Sequence, residues 1–270
     1  MNKKLIQYFT DAAHTYEMLG DVYRAAAYRK ALHAPAGSHI KEKIREFEAT
    51  GRIAALDALF KGREIRAYKT FLGVLGVGPT TARAWIKRKI FTISALSHIK
   101  LTRVQQLGVM HRADLARRIP RAEVGAIGAQ IIKLIKIANP LAQSLICGSY
   151  RRGSPDSGDV DVLTTATALD NVLTNKHVVA IISRGPAHIQ LLWKSTIYVR
   201  AVDIVIVAPE SMAAGTLYLT GPWEYNEQLR ALAKRAGYKL NQNGLYKDGV
   251  LIPTATEAEI IQRMHQTRVF

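Results

Sequence analysis

Apolar positions along the chain change period several times, and each change predicts a change of element. Residues 5–33 are rich in Ala, Tyr and Leu with only Gly20 interrupting, which predicts two helices ending before Pro35. Residues 39–49 predict a third, stopped at Thr50-Gly51, with Lys41, Lys43 and Arg45 along it. From Phe71 to Arg83 the pattern is a short helix, a tight turn allowed by Gly76 and Gly78, and a new helix with Pro79 in its first turn. Residues 101–119 also look helical. From Glu123 to about Ala138, Val124, Ile127, Ile131, Ile132, Leu134 and Ile135 form a core-facing stripe that ends ahead of Asn139-Pro140. The period then shortens to that of strands. Leu145-Ile146-Cys147 is an apolar run broken by Gly148-Ser149, and Asp159 to Leu163 alternates with period two. Val178–Ile182, His188–Trp193 and Val199–Val207 fill out a sheet, with a Gly185-Pro186 turn between the first two.

Acids interrupt two of these strands. On a strand, residues i and i+2 share a face with Cα atoms roughly 6–7 Å apart, so Asp159 and Asp161 can hold the same metal ions. Side by side among Val160, Val162 and Leu163, they repel each other and are expensive to desolvate unless cations neutralise them. Mg²⁺, a hard ion that takes carboxylates together with substrate phosphates, is the expected cation. Asp203 is a lone carboxylate in an otherwise apolar strand. If that strand lies beside the first, three acids can hold two ions about 3.5–4 Å apart, the arrangement for in-line phosphoryl transfer. Upstream, Ser149, the N–H groups of the Gly148–Gly153 turn and Arg152 supply the donors that a triphosphate needs.

Charge adds a polyanion. The net charge is +17, and it is concentrated: residues 1–120 hold 22 Lys/Arg against nine Asp/Glu, the remainder 16 against 12. Such a basic half points to a nucleic-acid backbone and to salt-sensitive binding. At 270 residues, with 48% hydrophobic and 22% charged residues, the chain suits two or three small folded domains. No apolar run approaches the 18 or so residues of a membrane span, and the basic N-terminus meets Asp11 too early for a secretory signal. Cys147 is the sole cysteine, which excludes an intramolecular disulfide or a cysteine-based zinc site and fits a reducing compartment.

The set Gly148-Ser149, Arg152, Gly158-Asp159-Val160-Asp161 and the distant Asp203 resembles the nucleotidyltransferase palm of the family X DNA polymerases. That resemblance implies an α+β fold: a helical lyase-like domain at 1–60, helix-hairpin-helix fingers at 61–119, a mixed-sheet palm at 120–208 and a small α/β thumb at 209–270. It implies two Mg²⁺ ions, with Mn²⁺ able to substitute, on Asp159, Asp161 and Asp203, the last nearest the primer hydroxyl. Ser149, Arg152 and Gly158 would meet the β- and γ-phosphates and Arg118 the γ-phosphate. In the segment Tyr218-Leu219-Thr220-Gly221, Tyr218 would pack near the sugar and Gly221 border the nucleotide, while Asn226 and Arg230 would contact the base edge and the template. Gly76, Gly78, Thr80 and Arg83 would grip a DNA phosphate, and Lys43, with Lys41 and Tyr28, would form a deoxyribose-phosphate lyase site. Trp223 stands where the family pattern has an aspartate, and Arg24 and His39 where it has lysines.

The activity implied is template-directed filling of short gaps in DNA repair, on gapped or nicked DNA with deoxynucleoside triphosphates, by a monomer without proofreading. The setting would be intracellular, in a nucleus or at a viral replication site. The segment after Leu163 has no length to spare for the longer loop of relatives that extend without template. Two alternatives stay open: a nucleotidyltransferase acting on RNA or on untemplated 3′ ends, and a non-catalytic DNA-binding protein.

Overall fold

The computed structural model describes residues 2–266 and divides into two compact units, one ending at Arg112 and one beginning at Ala113. The first is helical: α1 (Lys3–Met18), α2 (Val22–Ala31), α3 (Ser38–Thr50), α4 (Ala54–Leu59), α5 (Arg63–Leu72), α6 (Pro79–Lys87) and α7 (Arg103–Met110). Asn2 starts α1 by accepting from Lys4 N at 2.8 Å, and Asp21 starts α2 by accepting from Arg24 N at 2.9 Å. α1 buries Leu5, Phe9, Ala12 and Ala13, one helix face, against Tyr28, Ile40, Phe47, Ile53 and Leu56.

A second core in this unit gathers Tyr68, Phe71, Val74, Trp85 and Leu96, with Phe71 edge-on to Trp85 at 5.2 Å between ring centres. Each such ring contributes about 1.5–3 kcal/mol by leaving water. The turn between α5 and α6 is fixed from outside. Gly76 has φ +78°, and a Cβ there would come within 2.7 Å of the Val104 side chain. Its carbonyl accepts from Gln105 Nε2 at 3.3 Å, and Gln105 is also the partner of Thr102 in the capping box of α7. The helix expected over 101–119 breaks. α7 stops at Met110, a single turn α8 (Arg112–Leu115) follows, and Ile119 enters a strand.

The second unit is built on a five-stranded mixed sheet ordered β2-β4-β7-β6-β5, from β2 (Ser144–Ile146), β4 (Val160–Thr164), β5 (Val178–Arg184), β6 (His188–Lys194) and β7 (Val199–Ile206). β4 and β7 are parallel and the other neighbours antiparallel. β1 (Ile119–Pro120) and β3 (Asp156–Ser157) pair separately. α9 (Arg121–Ala138) lays Val124, Ile127, Ile131 and Ile135 on the sheet over Val160, Val162, Val202 and Ile204, with α11 (Asp170–Leu173) beside it, and α10 (Gly148–Arg151) is one turn between β2 and β3. The described residues end in α12 (Met212–Thr220), α13 (Trp223–Arg235), a three-stranded meander β8 (Lys239–Asn241), β9 (Gly244–Lys247) and β10 (Val250–Ile252), and α14 (Glu257–Gln266). The fold is α+β, and among the described residues no helix is long and apolar enough to cross a membrane.

Candidate active site

Pairing of β4 with β7 sets Asp161 directly opposite Asp203. Asp159 is not on β4, which begins at Val160; it sits in the bend before the strand. The bend still turns it inward, so that one carboxylate oxygen from each of Asp159, Asp161 and Asp203 lies within 4.8 Å of the other two. Among the described residues no other acid, histidine or cysteine trio converges in this way. The Gly148 turn closes on the same point. Cys147 N donates to Asp161 O at 2.9 Å, and Gly148, at φ +56°, leaves no room for a Cβ, which would collide with Asp161 Oδ2.

This packing strains the acids electrostatically. Burial, followed by the charges of Asp159 and Asp203, pushes the Asp161 carboxyl up to about 7. Burial and Asp203 raise Asp159, and burial raises Asp203 against the opposing pull of His188 and Gln190. His188 Nε2 stands 3.3 Å from Asp203 Oδ1, yet is not aligned as a hydrogen bond, and that oxygen is buried without a hydrogen-bond partner. Three hard oxygen donors, one of them orphaned, fit divalent cations of the Mg²⁺ class.

The carboxylates of Asp159 and Asp161 open into a cleft of about 530 Å³, a size suited to a small ligand. One wall carries Arg118, Ser149, Arg152 and Gly158; the other carries Tyr218, Gly221, Trp223, Asn226 and Arg230. Every metal- and nucleotide-site residue singled out in the sequence thus lines one space, apart from Asp203, which adjoins it through the other acids. Several are already engaged. Arg118 donates to Asp156 Oδ1 at 2.9 Å, Ser149 Oγ to Ser157 Oγ at 2.7 Å, Arg152 to Thr220 O, and Asn226 Nδ2 to Tyr218 O at 2.6 Å. Sequence reasoning missed Gly148 as the contact that shapes Asp161, His188 beside Asp203, and Arg151, which grips Thr220 Oγ1 at 2.9 Å and pairs with Glu257 at 2.5 Å. None has a linear signal, since each depends on which elements meet.

In the helical unit the expected sites are only partly assembled. Tyr28 is buried, stacks on Tyr16 at 5.6 Å, and lines a pocket of about 360 Å³ together with Arg24, Lys30, Gly37 and His39. Lys41 and Lys43 do not line it; Lys41 is exposed and Lys43 half-buried. Gly76, Gly78 and Thr80 lie at the hairpin, and α6 begins without a side-chain cap, leaving its first N–H groups free for an anion. Arg83 is half-buried and donates Nη1 to Glu17 O at 2.8 Å, while Lys87, Arg88 and Lys89 beyond it are exposed.

Three stretches of the chain match family models in order. Residues 69–116 match the fingers domain of DNA polymerase lambda, 118–195 the DNA polymerase beta palm, and 215–267 the DNA polymerase beta thumb. The chain is accordingly a homologue of the family X DNA polymerases. It is 26% identical over 300 aligned positions to DNA polymerase lambda of Rattus norvegicus, covering 93% of this chain and 52% of that protein. It is 24% identical over 292 positions to DNA polymerase lambda of Arabidopsis thaliana, covering 91% and 54%. A DNA nucleotidylexotransferase of Oncorhynchus mykiss is 30% identical over 132 positions, 48% of this chain and 26% of that protein. The chain therefore spans about half the length of the polymerase lambda relatives it matches.

Proposed function

We propose that this chain is a template-directed DNA polymerase that fills short gaps in DNA repair. The observation that carries this reading is the Asp161–Asp203 register, which with Asp159 makes a carboxylate trio beside a cleft lined by Arg118, Ser149 and Arg152. We assign residues 1–60 to a lyase-like domain, 61–119 to fingers, 120–208 to the palm and 209–270 to the thumb. Two Mg²⁺ ions, or Mn²⁺ in their place, held on Asp159, Asp161 and Asp203, would acidify the primer 3′-hydroxyl and neutralise the triphosphate. Arg118, Ser149, Arg152 and the Gly158 backbone bind the β- and γ-phosphates, which holds the α-phosphorus in line with the primer oxygen. Asp203 Oδ1, lacking a hydrogen-bond partner, takes the side of the site where the hydroxyl proton leaves. The new phosphodiester forms as the α–β anhydride bond breaks and pyrophosphate departs.

The turn joining β5 to β6 supports templated rather than untemplated addition: only Gly185, Pro186 and Ala187 connect the strands, closed by Gly185 N donating to His188 O at 2.8 Å. We further propose a 5′-deoxyribose-phosphate lyase step in the helical unit. The Lys43 amine adds to the C1′ aldehyde with loss of water; loss of a C2′ proton from the Schiff base then breaks the C3′–O bond and releases the downstream strand with its 5′-phosphate, and water hydrolyses the imine to free the unsaturated sugar phosphate and the amine. The substrates are gapped or nicked DNA and deoxynucleoside triphosphates, the enzyme acts as a monomer, and it works on intracellular DNA, nuclear or viral. Primer extension across a one-nucleotide gap in Mg²⁺ tests the reading. Wild type is expected to add only the complementary deoxynucleotide, Asp203→Ala to add none, and a single strand to stay unextended; equal extension of the single strand would discard templating. Borohydride trapping on an abasic 5′ end, expected for wild type and lost in Lys43→Ala, tests the lyase step.

A further inference from the structure

Ile119 of β1 pairs with Ser157 of β3, and Pro120 with Asp156. Carried one step further, this antiparallel register sets Arg118 across from Gly158 and diagonal to Asp156. Diagonal neighbours on a strand pair are within reach of a long side chain, and the arginine spans the gap. Its Nε donates to Asp156 Oδ1 at 2.9 Å, its Nη2 stands 2.8 Å from the same oxygen, and Nη2 also donates to the Asp156 carbonyl at 3.2 Å. The bare backbone of Gly158 leaves room for the crossing, since a Cβ there would come within 3.3 Å of Arg118 Nη1. Arg118 and Gly158 line the cleft; Asp156 does not.

We propose that Asp156 is a positioning residue for nucleotide binding, holding Arg118 by Nε and Nη2 so that Nη1 is presented to the terminal phosphate of a nucleoside triphosphate. The inference rests on the nucleotide-binding reading of the cleft. The guanidinium is planar and rigid, so fixing two of its nitrogens fixes the direction of the third. Two effects of Asp156 oppose each other. Its charge repels a phosphate, but its side chain is 46% exposed, and water and salt weaken a repulsion of that kind. Against this, a loose arginine must be ordered when the ligand arrives, which for so many rotamers costs roughly 2- to 10-fold in affinity. The ordering effect is the larger. Because it acts through Arg118 on the terminal phosphate, Asp156 favours triphosphates over diphosphates.

Calorimetry of the whole chain with dATP and with dADP, both in Mg²⁺, tests this. Asp156→Ala is expected to weaken dATP about 3- to 10-fold and to leave dADP unchanged. In an Arg118→Ala background the same change should leave dATP affinity unaltered, because the group it acts through is gone. Asp156→Asn, which keeps an acceptor oxygen for Nε, should retain most of the wild-type affinity. In gap filling, Asp156→Ala should raise KM several-fold with kcat little changed. The pair is exposed, so these variants should melt within about 4 °C of wild type. Unchanged or tighter dATP binding in Asp156→Ala, an equal loss for dADP, or an equal loss in the Arg118→Ala background overturns the proposal. An Asn variant as weak as the Ala one also overturns it, since charge rather than held geometry would then be at work. If wild type binds no dATP, the nucleotide reading of the cleft and the proposal fall together. If Asp156 and Arg118 are coupled but no primer is extended, the polymerase reading falls and the positioning role stands. Primer extension without that coupling overturns the positioning role and leaves the polymerase reading standing.

Discussion

Three carboxylates held within 4.8 Å of one another destabilise the protein that carries them until cations arrive. The sign follows from Asp161, whose folded carboxyl titrates at about 7, above the roughly 3.9 of an unfolded aspartate. Between those values the folded state binds more protons, so stability of the metal-free protein falls as pH rises from about 4 to 7. Thermal melts in EDTA should show a lower Tm at pH 8 than at pH 5.5, and Mg²⁺ should raise Tm at pH 8 more than at pH 5.5. A flat Tm in EDTA across that range would contradict the cluster's electrostatics. Gly148 gives a second test at this scale, because its left-handed φ and the adjacent Asp161 Oδ2 both exclude a side chain. Gly148→Ala is expected to displace Asp161 and reduce primer extension at least about 100-fold, with circular dichroism unchanged at 25 °C.

Strand β7 must start at one fixed place for Asp203 to fall opposite Asp161, and an ion pair between buried Arg200 and half-buried Glu123 anchors it. Arg200, 2% exposed, gives two hydrogen bonds of 2.8 Å to Glu123 on α9 and donates to the carbonyls of Asp114 and Arg117, each at 3.4 Å; the adjacent Val199 N donates to Asp114 Oδ2 at 2.9 Å. Arg200 holds the Glu123 carboxyl below the usual carboxylate range, so this contribution is present above the unfolded pKa of about 4.3 and is lost as pH falls beneath it. Glu123→Ala should destabilise by about 3–5 kcal/mol, because it leaves a buried guanidinium without its carboxylate. Urea unfolding at pH 7 measures it, and a loss below about 1 kcal/mol would mean that the anchor is dispensable.

Charge acts at the scale of the whole chain. The excess of 22 cations over nine acids in residues 1–120 is carried in part by Lys87, Arg88 and Lys89, exposed beyond the α6 hairpin. Each phosphate contact contributes about 0.9 to the slope of log K against log salt concentration. Replacing the three by Gln should therefore lower the slope for gapped DNA by about 2–3 and weaken binding to all sequences alike. An unchanged slope would move the DNA track elsewhere on the chain.

How much was legible follows the range of the interactions involved. The Ala-, Tyr- and Leu-rich stretch of α1 and α2, the Gly51 stop of α3, the apolar period of α9, the acids in apolar strands and the Gly-Ser turn stand in the sequence because each is set by neighbours a few residues away. The break of the 101–119 helix was hidden. So were the place of Asp159 in a bend, the diversion of Arg83 to Glu17 O, and the pocket that takes Tyr28 but not Lys43, since side chains distant along the chain decide each of them. The sequence by itself determined which residues could bind metal and phosphate, because ligand chemistry resides in side-chain identity. Only the tertiary structure decided that they meet: the parallel register of β4 and β7 brings Asp161 to Asp203, and α13 turns Trp223 toward the same cleft, because sheet register and helix docking are fixed by burial of the opposite faces.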